Sequence, residues 1–419
     1  MTEHDWWRSI EAADHIEPVR LARPVLELAA LLDGHGVPVR LFTSEPITAH
    51  LARRRGAPTT VADTMATLRC LERMGLVTAD AGFSAVEVAG TVPHVVRASI
   101  PDGRLGDHAV AAADALLAIW PDVDETADDL PMLRDHTEAL LGHAESRLWQ
   151  DGLHPVVFRA GHSLAREGLH PAAVAYWERL LPAAHQRLGP DHPDTFVLRN
   201  NLAWSYGRRG DPHRALTELR ALLPDRRRVL GDDDVNVLAT RHGIAVWRHD
   251  TGDIDGARAE MDRLLDDYLR VLGPLDRDTL NTRLLLATWA GEAGSPGTAA
   301  TALRALVDDY TELLGADHPE TLDARYQLAE CLLRAGAPDE ASEVLDDLLA
   351  DSRRVLGPDH RDTLLVRHLR AHVPGAAGDP AATVAALREL RGDVADVYGP
   401  DSPLVQALND EISRLASGS

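Results

Sequence analysis

Histidines, carboxylates and arginines are the side chains here that could do chemistry, and most stand at spacings that chemistry does not use. His368 and His372 come nearest to a motif. Four residues apart on a helix, two imidazoles share one face and could in principle chelate a metal ion. The pair alone does not define a site, and the expectation is no metal. His192, His318 and His360 recur in the phrase "LGPDHPDT" from Leu188 and in its variants from Leu314 and Leu356. No cysteine or second histidine stands at ligand spacing to them, so they read as loop residues. Cys70 and Cys331 lie in apolar helical patterns and read as buried free thiols, which fits a reducing cytoplasm. No G-x-S-x-G, H-E-x-x-H or C-x-x-C is present, so no catalytic residue is assigned. All 43 basic residues are arginine. Without lysine there is no Walker-type phosphate loop and no Schiff-base chemistry, and neither a cofactor nor ATP binding is expected.

Two ladders of charge are more regular. Arginine stands at Arg199, Arg241, Arg283, Arg325 and Arg367, and aspartate at Asp225, Asp267, Asp309, Asp351 and Asp393, each at a step of 42 residues. In an antiparallel helical hairpin turning near Gly210, residues 199 and 225 lie at matching depth. The expectation is a repeated structural Arg–Asp pair, made within a hairpin or across neighbours. The alternative is an arginine track for a polyanion, which the aspartates would neutralise.

The elements behind these ladders keep the same step. Glycine recurs at Gly168, Gly210, Gly252, Gly294, Gly336 and Gly378, and the Leu-Gly or Tyr-Gly pair at Leu188, Leu230, Leu272, Leu314, Leu356 and Tyr398. Such a period means stacked units, each burying its apolar face against the next. One unit reads as a helix over about 195–209, ended by Gly210, and a second over about 212–229 with Ala215, Leu219, Leu222 and Val229 on its buried face. "LGPDHPDT" then stops one helix and starts the next. Gly189 takes a left-handed turn, Pro193 tolerates the first helical turn, and Asp191 and Asp194 favour the helix N-terminus.

"NNLAWSYGRRGDPHRA" (Asn200 to Ala215) resembles a tetratricopeptide repeat (TPR) helix pair, and the 42-residue period is similar to the long-helix subtype of kinesin light chains. HEAT and armadillo repeats lack the glycine and, five residues on, the alanine. The resemblance covers roughly 153–413 and implies an all-α, right-handed TPR superhelix of about six helix pairs. It also implies which side chains face the concave groove: Phe158, His162, Arg166, Asn200, Trp204, Arg208, His242, Val246, His249, Leu284, Glu292, Tyr326, Glu330, Arg334, His368 and His372.

Residues 1–150 do not keep the period. Helical patterns over 21–32, in "EPITAHLARRRG" and over 61–74, then a hairpin turning at Asp80–Gly82, form a winged-helix pattern. The expected organisation is a lead segment over 1–16, a small winged-helix domain over 17–100, a helical connector over 101–152, the array over 153–413 and a tail over 414–419. Winged helix followed by long repeats resembles the C-terminal part of bacterial NB-ARC-type STAND proteins. In that family a nucleotide-binding domain comes first, and a histidine of the winged helix touches the nucleotide. Here Ala89 takes its place, which implies a free-standing or excised sensor half without ATP switching.

Net charge is −23 over 419 residues, which opposes nucleic acid except at a local basic patch. No apolar run is long enough to cross a bilayer, and no secretory signal is visible, so a cytoplasmic location is expected. The leading functional expectation is a non-enzymatic scaffold or sensor that binds a protein or peptide partner in the groove. A DNA-binding regulator using Arg53, Arg54, Arg55, Arg69 and Arg73 is the alternative, and an enzyme or accessory protein of a pathway ranks third.

Overall fold

The computed structural model describes residues 3–33, 36–121, 129–150 and 152–417. The chain divides into two compact units, residues 1–229 and 230–419.

The first unit opens with the helix Glu3–Asp14, where the sequence suggested only a lead segment. Helices Ala22–Ala29, Glu45–Arg55 and Val61–Arg73 follow, with a short turn of helix at Val39–Phe42. The last of the three starts on a capping box: Thr60 Oγ1 accepts from the Asp63 amide, and the Asp63 carboxylate accepts from the Thr60 amide. Three strands make an antiparallel sheet, β1 (Val37–Pro38), β2 (Val77–Ala79) and β3 (Ala85–Val88), in the order β1-β3-β2. Asp80 closes the β2–β3 turn by accepting from the amides of Ser84 and Ala85. Two residues carry no alternation, so β1 has no signature in the sequence. The core here is mostly aliphatic: Leu21, Leu28, Leu41, Ile47, Leu51 and Leu71 are fully buried, with the single ring of Phe42 among them. Helices Val92–Ser99, Asp102–Ile119 and Leu130–Ala144 lead to the first two helix pairs, Pro155–Arg166 with His170–Arg187 and Pro193–Arg208 with Pro212–Leu230.

The second unit continues with Val235–Asp250 and Ile254–Val271, Arg277–Glu292 and Pro296–Leu314, then Pro319–Arg334 and Pro338–Val355. The sixth pair joins Arg361–Ala371 and the short Val373–Ala376 to Pro380–Tyr398, and the helix Pro403–Ser417 closes the unit. The pairs enclose apolar layers, as with Ala245, Met261, Leu264 and Tyr268, or Ala329, Leu345 and Leu348.

Leu188 caps the helix His170–Arg187. Gly189 has φ 91°, and its equivalents Gly315 and Gly399 have φ 90° with ψ 160° and φ 86° with ψ 152°. These two hold a positive-φ extended conformation, which glycine alone adopts readily. His192 is no passive loop residue: it caps the next helix, its Nδ1 accepting from the Asp194 amide at 3.1 Å. His318 and His360 do the same, and Asp234 and Asp276 supply a carboxylate at the same register. The buried Thr195, Thr321 and Thr363 hydroxyls each donate back to the glycine carbonyl at 2.8 Å. Val229 departs from the expected buried face: it is 41% exposed. Cys70 and Cys331 are buried and unpaired.

Candidate functional site

Each helix pair turns two kinds of position toward its surroundings, and the two are built differently. The structural positions repeat one residue type. Arg199 Nη1 meets Asp225 Oδ2 at 2.7 Å, Arg241 meets Asp267 at 2.6 Å, and Arg283–Asp309 and Arg325–Asp351 both close at 2.7 Å. Arg367 pairs with Asp393 in the same way. All five pairs form within a hairpin. Arg241 is the most enclosed, 11% exposed, and also holds Glu260 at 2.9 Å. The hydrogen bond from Arg241 keeps Asp267 below the usual carboxylate range, and Arg325 does the same for Asp351.

A second ladder has no counterpart in the sequence reading. Arg228 grips Asp191, Arg270 grips Asp233 and Arg354 grips Asp317, each with both guanidinium nitrogens. The step is again 42, but registers carrying Glu312 and Asp396 break it, which hides it from inspection.

The positions expected to face a groove lie on the first helix of each pair, and none is fully buried. In the first unit, His162, Arg166 and Arg208 are exposed, while Phe158, Asn200 and Trp204 are half-buried. Phe158 and His162 sit beside the buried Trp177, and Asn201 bonds His162 Nε2 at 2.9 Å. Asn200 accepts from the buried Arg226, so part of its capacity is already used. In the second unit, Arg334 and Glu292 are exposed, whereas His242, Val246, Leu284 and Tyr326 are half-buried. Burial lowers the His242 pKa to about 4, so this imidazole is neutral. Tyr326 packs on the Leu322–Ala329–Leu345 layer and lines a cavity of about 240 Å³ with Asp323, Gln327 and Leu348. Arg334 holds Glu330 at 2.6 Å. His249 lies flat on Trp289 at 4.3 Å and an interplanar angle of 3°, a packing role in addition to any binding one.

His368 and His372 are joined by Glu411, a residue of the helix Pro403–Ser417 that sequence reasoning did not connect to them. His368 Nε2 lies 2.7 Å from Glu411 Oε2, and His372 Nε2 lies 3.0 Å from Oε1. Burial and the neighbouring His368 push the His372 pKa down. Burial raises that of Glu411, but the hydrogen bond and charge of His368 outweigh it and leave the carboxyl below its ordinary range.

The first unit holds a buried chain that no motif announced. His50 Nε2 lies 2.9 Å from His108 Nδ1, and His108 Nε2 lies 2.9 Å from Glu27 Oε2. With Glu27 ionised, His108 donates to it through Nε2. Arg23 and Arg104 flank the other Glu27 oxygen at 3.1 and 3.5 Å. Burial, then the charges of His108, Arg53 and Arg54, lower the His50 pKa to about 4. His50 lines a cavity of about 870 Å³ with Arg53, Arg54, Asp107, Asp114, Val110 and Leu117. Of the other arginines considered for DNA, Arg69 stands over the Phe83 ring at 5.7 Å, and Arg73 is exposed.

No helix among the described residues is long and apolar enough to cross a membrane. No curated protein matches the chain. Among solved structures, a STAND protein with a tetratricopeptide repeat sensor from Pyrococcus horikoshii is 12% identical with a TM-score of 0.50; the alignment covers 99% of this chain and 62% of that one. A kinesin-light-chain-type protein of Podosopora anserina with nearly identical TPR-like repeats is 22% identical over 49% of this chain and 98% of its own, with a TM-score of 0.44. A tetratricopeptide repeat protein from Parabacteroides merdae is 11% identical over 74% and 100%, with a TM-score of 0.48. At these identities the likeness concerns fold alone. Tetratricopeptide repeat models match residues 156–228 and 292–354, so these stretches are tetratricopeptide repeats in an all-α array of consecutive helix pairs.

Proposed function

We propose that this chain is a non-enzymatic interaction or sensor module that binds a peptide segment of a partner protein on the first helices of its pairs. One observation carries the reading. Arginine fills all five registers of the 199 ladder, and aspartate all five of the 225 ladder. Two of the groove positions change at every step, while a third repeats arginine at Arg166, Arg208 and Arg334. Phe158 becomes Asn200, His242, Leu284, Tyr326 and His368, and His162 becomes Trp204, Val246, Thr288, Glu330 and His372. A packing position repeated by the same geometry has one best residue. A position that reads a ligand must differ at each step, because each step meets a different part of that ligand. In the first unit Trp204 serves as the apolar anchor, and Arg208 presents a planar fork suited to a carboxylate. Tyr326 and Arg334 play the same parts in the second.

The three helices and small sheet before the array are read as a winged-helix-type regulatory module over 17–100, with a helical connector over 101–152 and the repeats over 153–413. The two unpaired buried thiols suit a reducing cytoplasm. The test is selection of binders from a random peptide library against the full chain. Selected peptides should lose roughly thirtyfold in affinity, about 2 kcal/mol, to Trp204→Ala or Arg208→Ala, with the melting temperature unchanged. Peptides that bind the double variant as tightly as the parent would move the contact elsewhere.

A further inference from the structure

We propose that His368, His372 and Glu411 bind a divalent transition-metal ion of the zinc class. Their three ligand atoms lie within 4.8 Å of one another. The two imidazoles stand one helical turn apart with rings edge to face at 4.9 Å, and both turn Nε2 toward the same carboxylate. Two nitrogens and one carboxylate oxygen suit zinc, whereas calcium and magnesium take oxygen ligands. Bonds of about 2.0–2.2 Å in a tetrahedron place ligand atoms ~3.3 Å apart. The nitrogen–oxygen separations of 2.7 and 3.0 Å run to the two different oxygens of Glu411, so its carboxylate must turn to offer one oxygen while the three donors, now within 4.8 Å, draw around the ion. The three side chains are 22–33% exposed, which leaves an entry path and a fourth position for water.

The repeat itself separates this cluster from an ordinary ion pair. The contact between 372 and 411 stands in the same register as that between His162 and Asn201, five steps of 42 earlier. There the partners are a histidine and a neutral amide, and the third position holds Phe158. The fold thus brings these positions together more than once, but only the last register fills all three with metal-binding donors. A pair made merely to dock the last helix would need one histidine. The arginines Arg361 and Arg414 line the neighbouring cavity of about 400 Å³ together with His368 and Glu411. Their charge opposes a cation, which sets the expected affinity in the micromolar range instead of the tighter range of closed structural sites.

Titration of the chelator-treated full chain with zinc ion alone, followed by calorimetry, tests the site. One ion per chain should bind with micromolar affinity, and cobalt(II) in its place should develop the visible absorption of a low-symmetry nitrogen–oxygen site. His368→Asn and Glu411→Gln are close in shape, and each should weaken binding by roughly tenfold or more. Their metal-free melting curves should stay near that of the parent. Zinc should raise the parent melting temperature and leave that of the His368→Asn/His372→Asn variant unmoved. Zinc bound equally well by that double variant, or no binding below millimolar zinc, would overturn the proposal.

Discussion

Gly161 and Trp177 show how a single residue can depend on a partner in the facing helix. A Cβ at Gly161 would stand 2.2 Å from two carbons of the Trp177 indole, which is buried and rigid. The equivalent first-helix positions are Ala203, Ala245, Ala287, Ala329 and Ala371, and the equivalents of Trp177 are Leu219, Met261, Leu303, Leu345 and Leu387. Alanine would gain roughly 0.5–1 kcal/mol of helix preference over glycine, but overpacking costs about 1–3 kcal/mol. Gly161→Ala should therefore lower the melting temperature, and adding Trp177→Leu should recover part of the loss, which a double-mutant cycle would read. His50 gives a pH prediction. Its folded pKa of about 4 lies below the ordinary 6.5, so the unfolded chain takes up a proton that the folded chain refuses. Stability must then fall as pH drops from about 6.5 toward 4, by up to about 3 kcal/mol for this group. His50→Gln should flatten the plot of melting temperature against pH over that window; an unaltered slope would mean that His50 does not carry it. The Arg199–Asp225 ladder was legible because both partners keep one period. The His50–His108–Glu27 chain was not, because its members lie 58 and 81 residues apart with no repeating offset.

Elements in this chain begin and end at glycine and at the capping position, and both are open to measurement. His318 caps the helix Pro319–Arg334 through Nδ1. His318→Ala should cost about 1 kcal/mol, while His318→Asp, the solution already used at Asp234 and Asp276, should cost little. Helical hydrogen exchange at the first turn would localise the loss. Arg241 tests the charge ladder. It is 11% exposed and holds two carboxylates, so Arg241→Ala leaves Asp267 and Glu260 to the more exposed Arg270 and Arg263 alone. Arg304 pairs with Glu340 at the surface, both about half exposed, and its loss should fall within the roughly 0–1 kcal/mol of surface pairs. A larger shift in melting temperature for Arg241→Ala than for Arg304→Ala is expected. Helix limits were close to legible, since proline, glycine and acidic residues mark the ends in order. What the caps do was not, because a histidine accepting a backbone proton looks in sequence like any loop histidine. Glu411 was likewise invisible as a partner of His368, since it arrives from another helix 43 residues on.

At the scale of the molecule, a period of 42 residues fixed the class of fold before any contact was known, and the first 150 residues, which lack it, yielded less. There the helix Glu3–Asp14 and the strand β1 went unread. Stability in such an array is close to a sum over units and their neighbours. Gly161→Ala and Arg241→Ala lie in different compact units, so their effects on unfolding free energy should add within about 0.5 kcal/mol. The swap of volume between Gly161 and Trp177 also bears on how such a chain can grow. A helix bearing alanine at that position has no room above Trp177, so a duplication or exchange that moved one helix by itself would seat a methyl group inside an indole. Copying both helices carries the fitted surfaces along together. The heritable piece is the hairpin, and a recombination boundary inside it would be selected against while one at the "LGPDHPDT" junction would pass unnoticed.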